Sequence, residues 1–183
     1  ITVNDADAAA LTASDLSTLG GKTAGTVTVT NAVAITGSAA ELTAALVTAG
    51  SLVEVSDATA TVSDADGTGI TATALSAIGA KTTGTVTVTN AVAITGTAAE
   101  VTAALVTAGS LVEVTDATVT ITGNPTTTEL NNIAAKTTGV VTATLAADSL
   151  SNLGDLTTAG TDAITITVND ADAAALTASD LST

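Results

Sequence analysis

The chain contains no histidine, cysteine, methionine, phenylalanine, tryptophan or tyrosine, and its one proline is Pro125. Each absence removes a class of function. Without His and Cys there is no ordinary zinc, haem or iron–sulfur site, no Ser-His-Asp arrangement and no thiol nucleophile. Catalysis would rest on carboxylates, hydroxyls and the lysines Lys22, Lys81 and Lys136, so the chain is not expected to be an enzyme. Without aromatics the core must be thin and aliphatic, because aromatic rings supply much of the buried area of a thick one. A lack of cysteine fixes no redox compartment.

Positive charge is also scarce. Three basic residues face 18 acidic ones, giving a formal charge of −15, or −12 over positions 1–165, which hold 15 of the acids and all three lysines. No basic patch or stacking aromatic is available to nucleic acid, and anionic membrane surfaces are disfavoured. No apolar run approaches the ~18 residues of a spanning helix, so no membrane insertion is expected. No signal peptide is visible, and residue 1 falls inside a repeat; any targeting segment is expected upstream.

What is present is repetition. Residues 25–59 return at 84–118 with three changes: Ser38 becomes Thr97, Leu42 becomes Val101 and Ser56 becomes Thr115. Residues 1–18 return unaltered at 166–183. Residues 1–165 thus form one tandem-repeat period and 166–183 the start of the next, with no linker or composition shift between domains.

Two local patterns alternate along the period. Alternating β-branched residues predict strands at Ile1–Val3, Thr26–Thr30, Leu52–Val55, Thr85–Thr89, Leu111–Val114, Val119–Thr122, Val140–Leu145 and Ile164–Val168. Ala/Leu-rich runs predict six short helices. Two start at the capping boxes Ser38/Glu41 and Thr97/Glu100, with Ala39, Leu42, Leu46 and Ala49 on one face. Four lie at 16–23, 75–82, 130–137 and 150–154. Five are expected to stop at glycines in the left-handed conformation: Gly20, Gly50, Gly79, Gly109 and Gly154. Pro125 falls where a helix opens and breaks nothing.

Val3, Val29, Val55, Val88, Val114, Val141 and Val168 recur at near-regular intervals, with one longer step from Val55 to Val88. The predicted fold is therefore α/β: a repeat solenoid of stacked parallel strands and short Ala/Leu-rich helices, with six coils per 165-residue period. An all-β parallel β-helix without helices is the alternative, because Thr and Val lower helix propensity. Helices at 8–10 Å spacing on strands at ~4.8 Å require curvature, twist or stagger.

Three groups of residues are candidates for function. Asp5 and Asp7, Asp64 and Asp66, and Asp170 and Asp172 stand where a strand ends and a helix is expected to begin. Spaced carboxylates suit calcium, the one cofactor the sequence admits; N-capping of the following helix is the competing role. The lysines share a KTxG tail, where they anchor an anion, bond covalently to a nearby asparagine, or offset acidic charge. Thr26, Thr28 and Thr30, with Thr85, Thr87 and Thr89, predict outward hydroxyl ladders, as an ice-binding, glycan-binding or O-glycosylated face would need; Thr is also simply a good strand residue.

The phrases ITVNDADAAALTASDLSTLGGKTAGTVTV and AITGTAAEVTAALVTAG resemble the Ala/Thr/Val/Asp-rich tandem repeats of very large surface or secreted proteins of cyanobacteria and other aquatic bacteria. The resemblance covers the whole chain. It implies a structural or adhesive role outside the cell. The repetition of 1–18 at 166–183 adds the expectation of a filament, sheath, surface layer or adhesin stalk, with self-association along the fibre axis and laterally. It supplies no catalytic residue, and the GGxGxD calcium repeats that often accompany such proteins do not occur here.

Overall fold

The structure is a computed structural model that describes residues 1–169. Among the described residues the chain is α/β, with three sheets of parallel strands and short helices, and no sheet closes into a barrel. Along the chain come β1 (Thr2–Val3), β2 (Ala10–Thr12), α1 (Ala13–Gly20), β3 (Val27–Val29), β4 (Ala34–Gly37), α2 (Ala39–Leu42), β5 (Val53–Glu54), β6 (Thr59–Val62), β7 (Gly69–Thr71) and α3 (Ala72–Gly79). There follow β8 (Val86–Val88), β9 (Ala93–Thr97), α4 (Ala98–Val101), β10 (Val112–Glu113), β11 (Thr118–Thr122), α5 (Thr127–Ala134), β12 (Val141–Thr144), α6 (Leu150–Leu153) and β13 (Ala163–Thr165). The helix-free alternative does not hold, because all six expected helical regions form.

Strands pair in the orders β1-β3-β5, β2-β4-β6-β8-β10 and β7-β9-β11-β12-β13. Each pairing joins segments well separated in sequence, as with Thr2 and Thr28 or Thr142 and Ala163. The valines do not form the single column that their spacing suggests. Val88 sits on Val62 rather than Val55, and Val141 on Val119 rather than Val114. The cause lies in the repeat itself. Gly25 and Gly84 open its two copies, and strands separated by that interval occupy neighbouring sheets: β1, β3 and β5 lie in the first sheet and their equivalents β6, β8 and β10 in the second. In the same way β2, β4 and β6 of the second sheet correspond to β7, β9 and β11 of the third. Each copy of the unit is displaced by one sheet.

Inward residues of the strands (Val27, Ile35, Val62, Val86, Ile94, Val119) and of the helices (Leu16, Leu42, Leu75, Ile78, Leu130, Ile133) form one continuous aliphatic core. Ala39, Leu42 and Leu46 are buried as the helical face requires, but Ala49 is exposed. The face is interrupted because the helix loosens into a π-turn over Thr43–Val47 and ends. The Thr48 amide and hydroxyl both donate to the Thr43 carbonyl, at 2.9 and 3.1 Å, and so hold it across the wider turn. Thr107 does the same to Thr102 in the second copy.

The glycines act differently from expectation. Gly21, Ala80 and Gly154, which close α1, α3 and α6, are right-handed, and the left-handed residues after the π-turns are Leu52 and Leu111, at φ 56° and 55°. Gly20 and Gly79 are required for close approach. A β-carbon on Gly20 would overlap the Ser51 carbonyl oxygen, and one on Gly79 would overlap that of Ser110. Backbone-to-backbone contact is one way helices accommodate the closer spacing of the strands.

Candidate functional site

The aspartate pairs lie in turns between two strands, not before helices. Asp5 and Asp7 join β1 to β2, and Asp64 and Asp66 join β6 to β7. Short strands therefore intervene before α1 and α3, whose N-caps are the hydroxyls of Thr12 and Thr71. The aspartates do not cap the helices that follow them. They hold the neighbouring turn of the stack. Asp7 Oδ1 accepts from the Ala32 amide at 3.2 Å, and Asp66 Oδ1 from the Ala91 amide at 3.0 Å. In return the Ala8 and Gly67 amides donate to the carbonyls of Ala32 and Ala91. The Asn31 side-chain amide donates to the Asp5 carbonyl, and that of Asn90 to the Asp64 carbonyl. The motif is thus DAD in one turn, clamped by Asn-Ala in the next.

Asp64 has an additional task. Its Oδ2 accepts from the Ala39 amide, the first of α2, at 2.6 Å, and so caps a neighbouring helix from across the stack. Among the described residues no group of three or more acidic side chains is placed to hold a metal ion. Asp170 and Asp172 lie outside the described residues.

Helix N-termini are closed by hydroxyl–carboxylate boxes at Ser38/Glu41 and Thr97/Glu100, and by a third at Thr126/Glu129. The N-cap backbone amides donate to the three glutamates at 2.8, 2.8 and 2.9 Å, and the N-cap hydroxyls add a second bond. Amide first and hydroxyl second, these bonds hold Glu41, Glu100 and Glu129 below the ordinary glutamate range.

Lys22, Lys81 and Lys136 are exposed, each in the turn after a helix. In the KTxG tail it is the threonine that engages the fold. The Thr82 hydroxyl donates to the Ala58 carbonyl and accepts from the Gly84 amide at 3.0 Å. Thr137 does the same between the Ala117 carbonyl, at 2.6 Å, and the Gly139 amide.

The expected threonine ladders are rearranged by the displacement of the repeat. Thr28 and Thr87 are exposed but in different sheets, and each is flanked by a threonine and a glutamate: Thr28 by Thr2 and Glu54, Thr87 by Thr61 and Glu113. Thr87 ends a row Thr12, Thr36, Thr61, Thr87 on the second sheet, whose two middle members are half-buried, and the array exposed throughout is on the third sheet. One row runs Thr71, Thr95, Thr120, Thr142. Beside it Thr97 pairs with Thr122 and Thr144 with Thr165, and carrying the β11–β12 register on by two places joins them. All eight are exposed, while Ile94, Val119, Ile121 and Val141 between them point into the core. The T-x-T spacing at 95–97, 120–122 and 142–144 is the signal that sequence reading passed over.

No helix among the described residues is long and apolar enough to cross a membrane. Comparison of the chain with protein-family models, curated proteins and solved structures gives no match.

Proposed function

We propose that the chain is a structural repeat segment of an extracellular filament, sheath or surface-layer protein, a solenoid of six coils per 165-residue period. The observation that carries this reading is the re-use of the unit that opens at Gly25 and again at Gly84. Each copy lies one sheet over from the last while parallel pairing continues across the join, through Ala60–Val86 in the second sheet and Gly69–Ala93 in the third. A rule of that kind contains no stop, and stacking repeats bury one another's apolar faces as it proceeds. The acidic surface disfavours nucleic acid and leaves self-association as the main contact. No catalytic role belongs to this reading.

Electron microscopy and fibre diffraction test it. Filaments should give a strong reflection near 4.8 Å along the axis and a period of about 29 Å, six strand spacings. Discrete compact particles at all concentrations would rule it out.

The paired threonine rows of the third sheet support a second reading, an adhesin stalk or a solenoid that binds ice or glycans. Purified chain should then slow ice growth or retain a glycan, and Thr120→Lys with Thr142→Lys should abolish the effect. If neither ligand is affected by the unaltered chain, this reading fails.

A further inference from the structure

The third sheet presents an uncharged face on an acidic chain. None of its strands β7, β9, β11, β12 and β13 contains an acidic or basic residue, although the chain carries a formal charge of −15. Asp162 precedes β13, but its carboxylate is taken up by the Val141 and Ala159 amides, at 2.8 and 3.0 Å. The other two sheets differ. Where their outward threonine rows reach β5 and β10, they end on the exposed carboxylates Glu54 and Glu113.

The uncharged face is also broad. Beside its two threonine rows a third runs through Ala93 and Thr118, and carrying the β11–β12 register back by one place brings in Val140. Val140 is 40% exposed, one of the few large apolar side chains left open to water. Five strands at about 4.8 Å and three outward rows about 7 Å apart cover on the order of 500 Å². Two such faces in contact would bury about 1,000 Å², the lower limit for a specific interface.

Charge and spacing together select the occupant. Copies of this chain repel wherever their acidic surfaces meet, and this face is where they do not. Its rows of β-branched side chains recur at the strand spacing, so the partner that seats its own rows between them throughout is another parallel sheet of the same spacing. Identical rows interdigitate in this way in dry contacts between sheets. The same sheet on a second copy meets both requirements.

We infer that the outward face of the third sheet is the lateral docking surface for a second copy of this chain, joined face to face in a two-fold contact of identical patches. Thr120 and Thr142 lie in its middle row, and Glu54 and Glu113 close the first and second sheets to the same contact. This goes beyond the filament reading, which concerns pairing along the stack, and gives the threonine rows to a second copy rather than to ice or a glycan.

Sedimentation of the full chain tests it. The unaltered chain should pass from monomer to dimer with concentration, and raising salt from about 0.05 to 0.5 M should tighten the dimer several-fold by screening the acids elsewhere. Thr120→Glu with Thr142→Glu sets like charges against each other across the contact and should weaken the dimer by about tenfold or more. Thr28→Glu with Thr87→Glu adds the same charge to the first and second sheets and should change it by no more than about twofold. If the first pair abolishes the urea transition, Thr144→Glu alone takes its place. Equal weakening by the two pairs overturns the inference. A chain that stays monomeric in high salt also overturns it, and slowed ice growth by that monomer would return the rows to the second reading. Filaments that elongate and bundle regardless of Thr120→Glu with Thr142→Glu leave the filament reading standing and remove this contact. Dimers that respond as expected, without filaments, uphold this contact and remove the filament reading.

Discussion

The carboxylate of Asp64 accepts a 2.6 Å hydrogen bond from the amide of Ala39, the opening amide of a helix that precedes it by 25 residues in the chain. A helix of four residues followed by a π-turn cannot satisfy its own first amides. Capping from a neighbouring turn supplies the missing acceptor and sets a negative charge at the positive end of the helix. Asp64→Ala should therefore cost about 1–2 kcal/mol in thermal or urea unfolding, the range for loss of a cap. The cost should be the same in calcium and in chelator, because the bond is to an amide. A calcium-dependent cost would return Asp64 to the role of metal ligand.

Acid should release the capping boxes. The carboxylates of Glu41, Glu100 and Glu129 titrate below the usual glutamate value because the N-cap amides and hydroxyls bond to the charged form. A folded-state pKa lower than the unfolded one contributes stability that is complete above the unfolded value of about 4.3 and is lost as pH falls through the folded value. Melting temperature should accordingly be insensitive to these groups from neutral pH to about 5 and fall below that. Changing all three to glutamine should flatten part of the acid limb while lowering stability at pH 7. An acid limb unchanged in the triple variant would mean that other carboxylates govern it.

Much of the architecture is written locally and much is not. Val-Thr alternation identifies β3 and β8 because each carries its own period, and Ser38/Glu41 and Thr97/Glu100 mark helix starts within a single turn. The strands β2, β4, β6, β7 and β9 are three to five residues long and rich in Ala, Gly and Thr. Their conformation is imposed by the parallel strands paired with them, and the alternation within them is too short to announce it. The displacement between sheets was visible only as the long interval from Val55 to Val88. That interval contains an additional strand, β7, which moves the chain over before it turns back. The aspartates were legible as a cluster, but their partners Ala32, Ala39 and Ala91 are alanine amides, which carry no sequence signal.

Gly79 has backbone dihedrals that any residue adopts, and yet it should tolerate no side chain. Its would-be β-carbon overlaps the Ser110 carbonyl oxygen, and that oxygen belongs to backbone that cannot swing aside. Gly79→Ala should cost about 3 kcal/mol or more, the upper part of the range for overpacking. Gly109→Ala, with nothing within 4 Å, is the control and should stay within about 0.5 kcal/mol. Equal effects at the two positions would show that backbone entropy, not close approach, governs them.

The last comparison separates the lysine of the KTxG tail from its threonine. Thr82 is 8% exposed, and its hydroxyl is the partner of both the Ala58 carbonyl and the Gly84 amide. Thr82→Val keeps the shape and removes both bonds, leaving two backbone groups unpaired where water reaches poorly. The expected cost is about 1–3 kcal/mol. Thr23, at the equivalent place in the first copy, is half-buried and makes the turn bond alone, to the Gly25 amide at 3.0 Å. Thr23→Val should therefore cost clearly less than Thr82→Val, and Lys81→Ala should be near neutral, because its side chain is exposed. Urea midpoints of the three variants at constant m decide the matter. If Lys81→Ala is the most damaging, the lysine has a structural partner that this hydrogen-bond scheme omits; if the two threonine variants are equal, the bond to the neighbouring carbonyl contributes nothing beyond the turn.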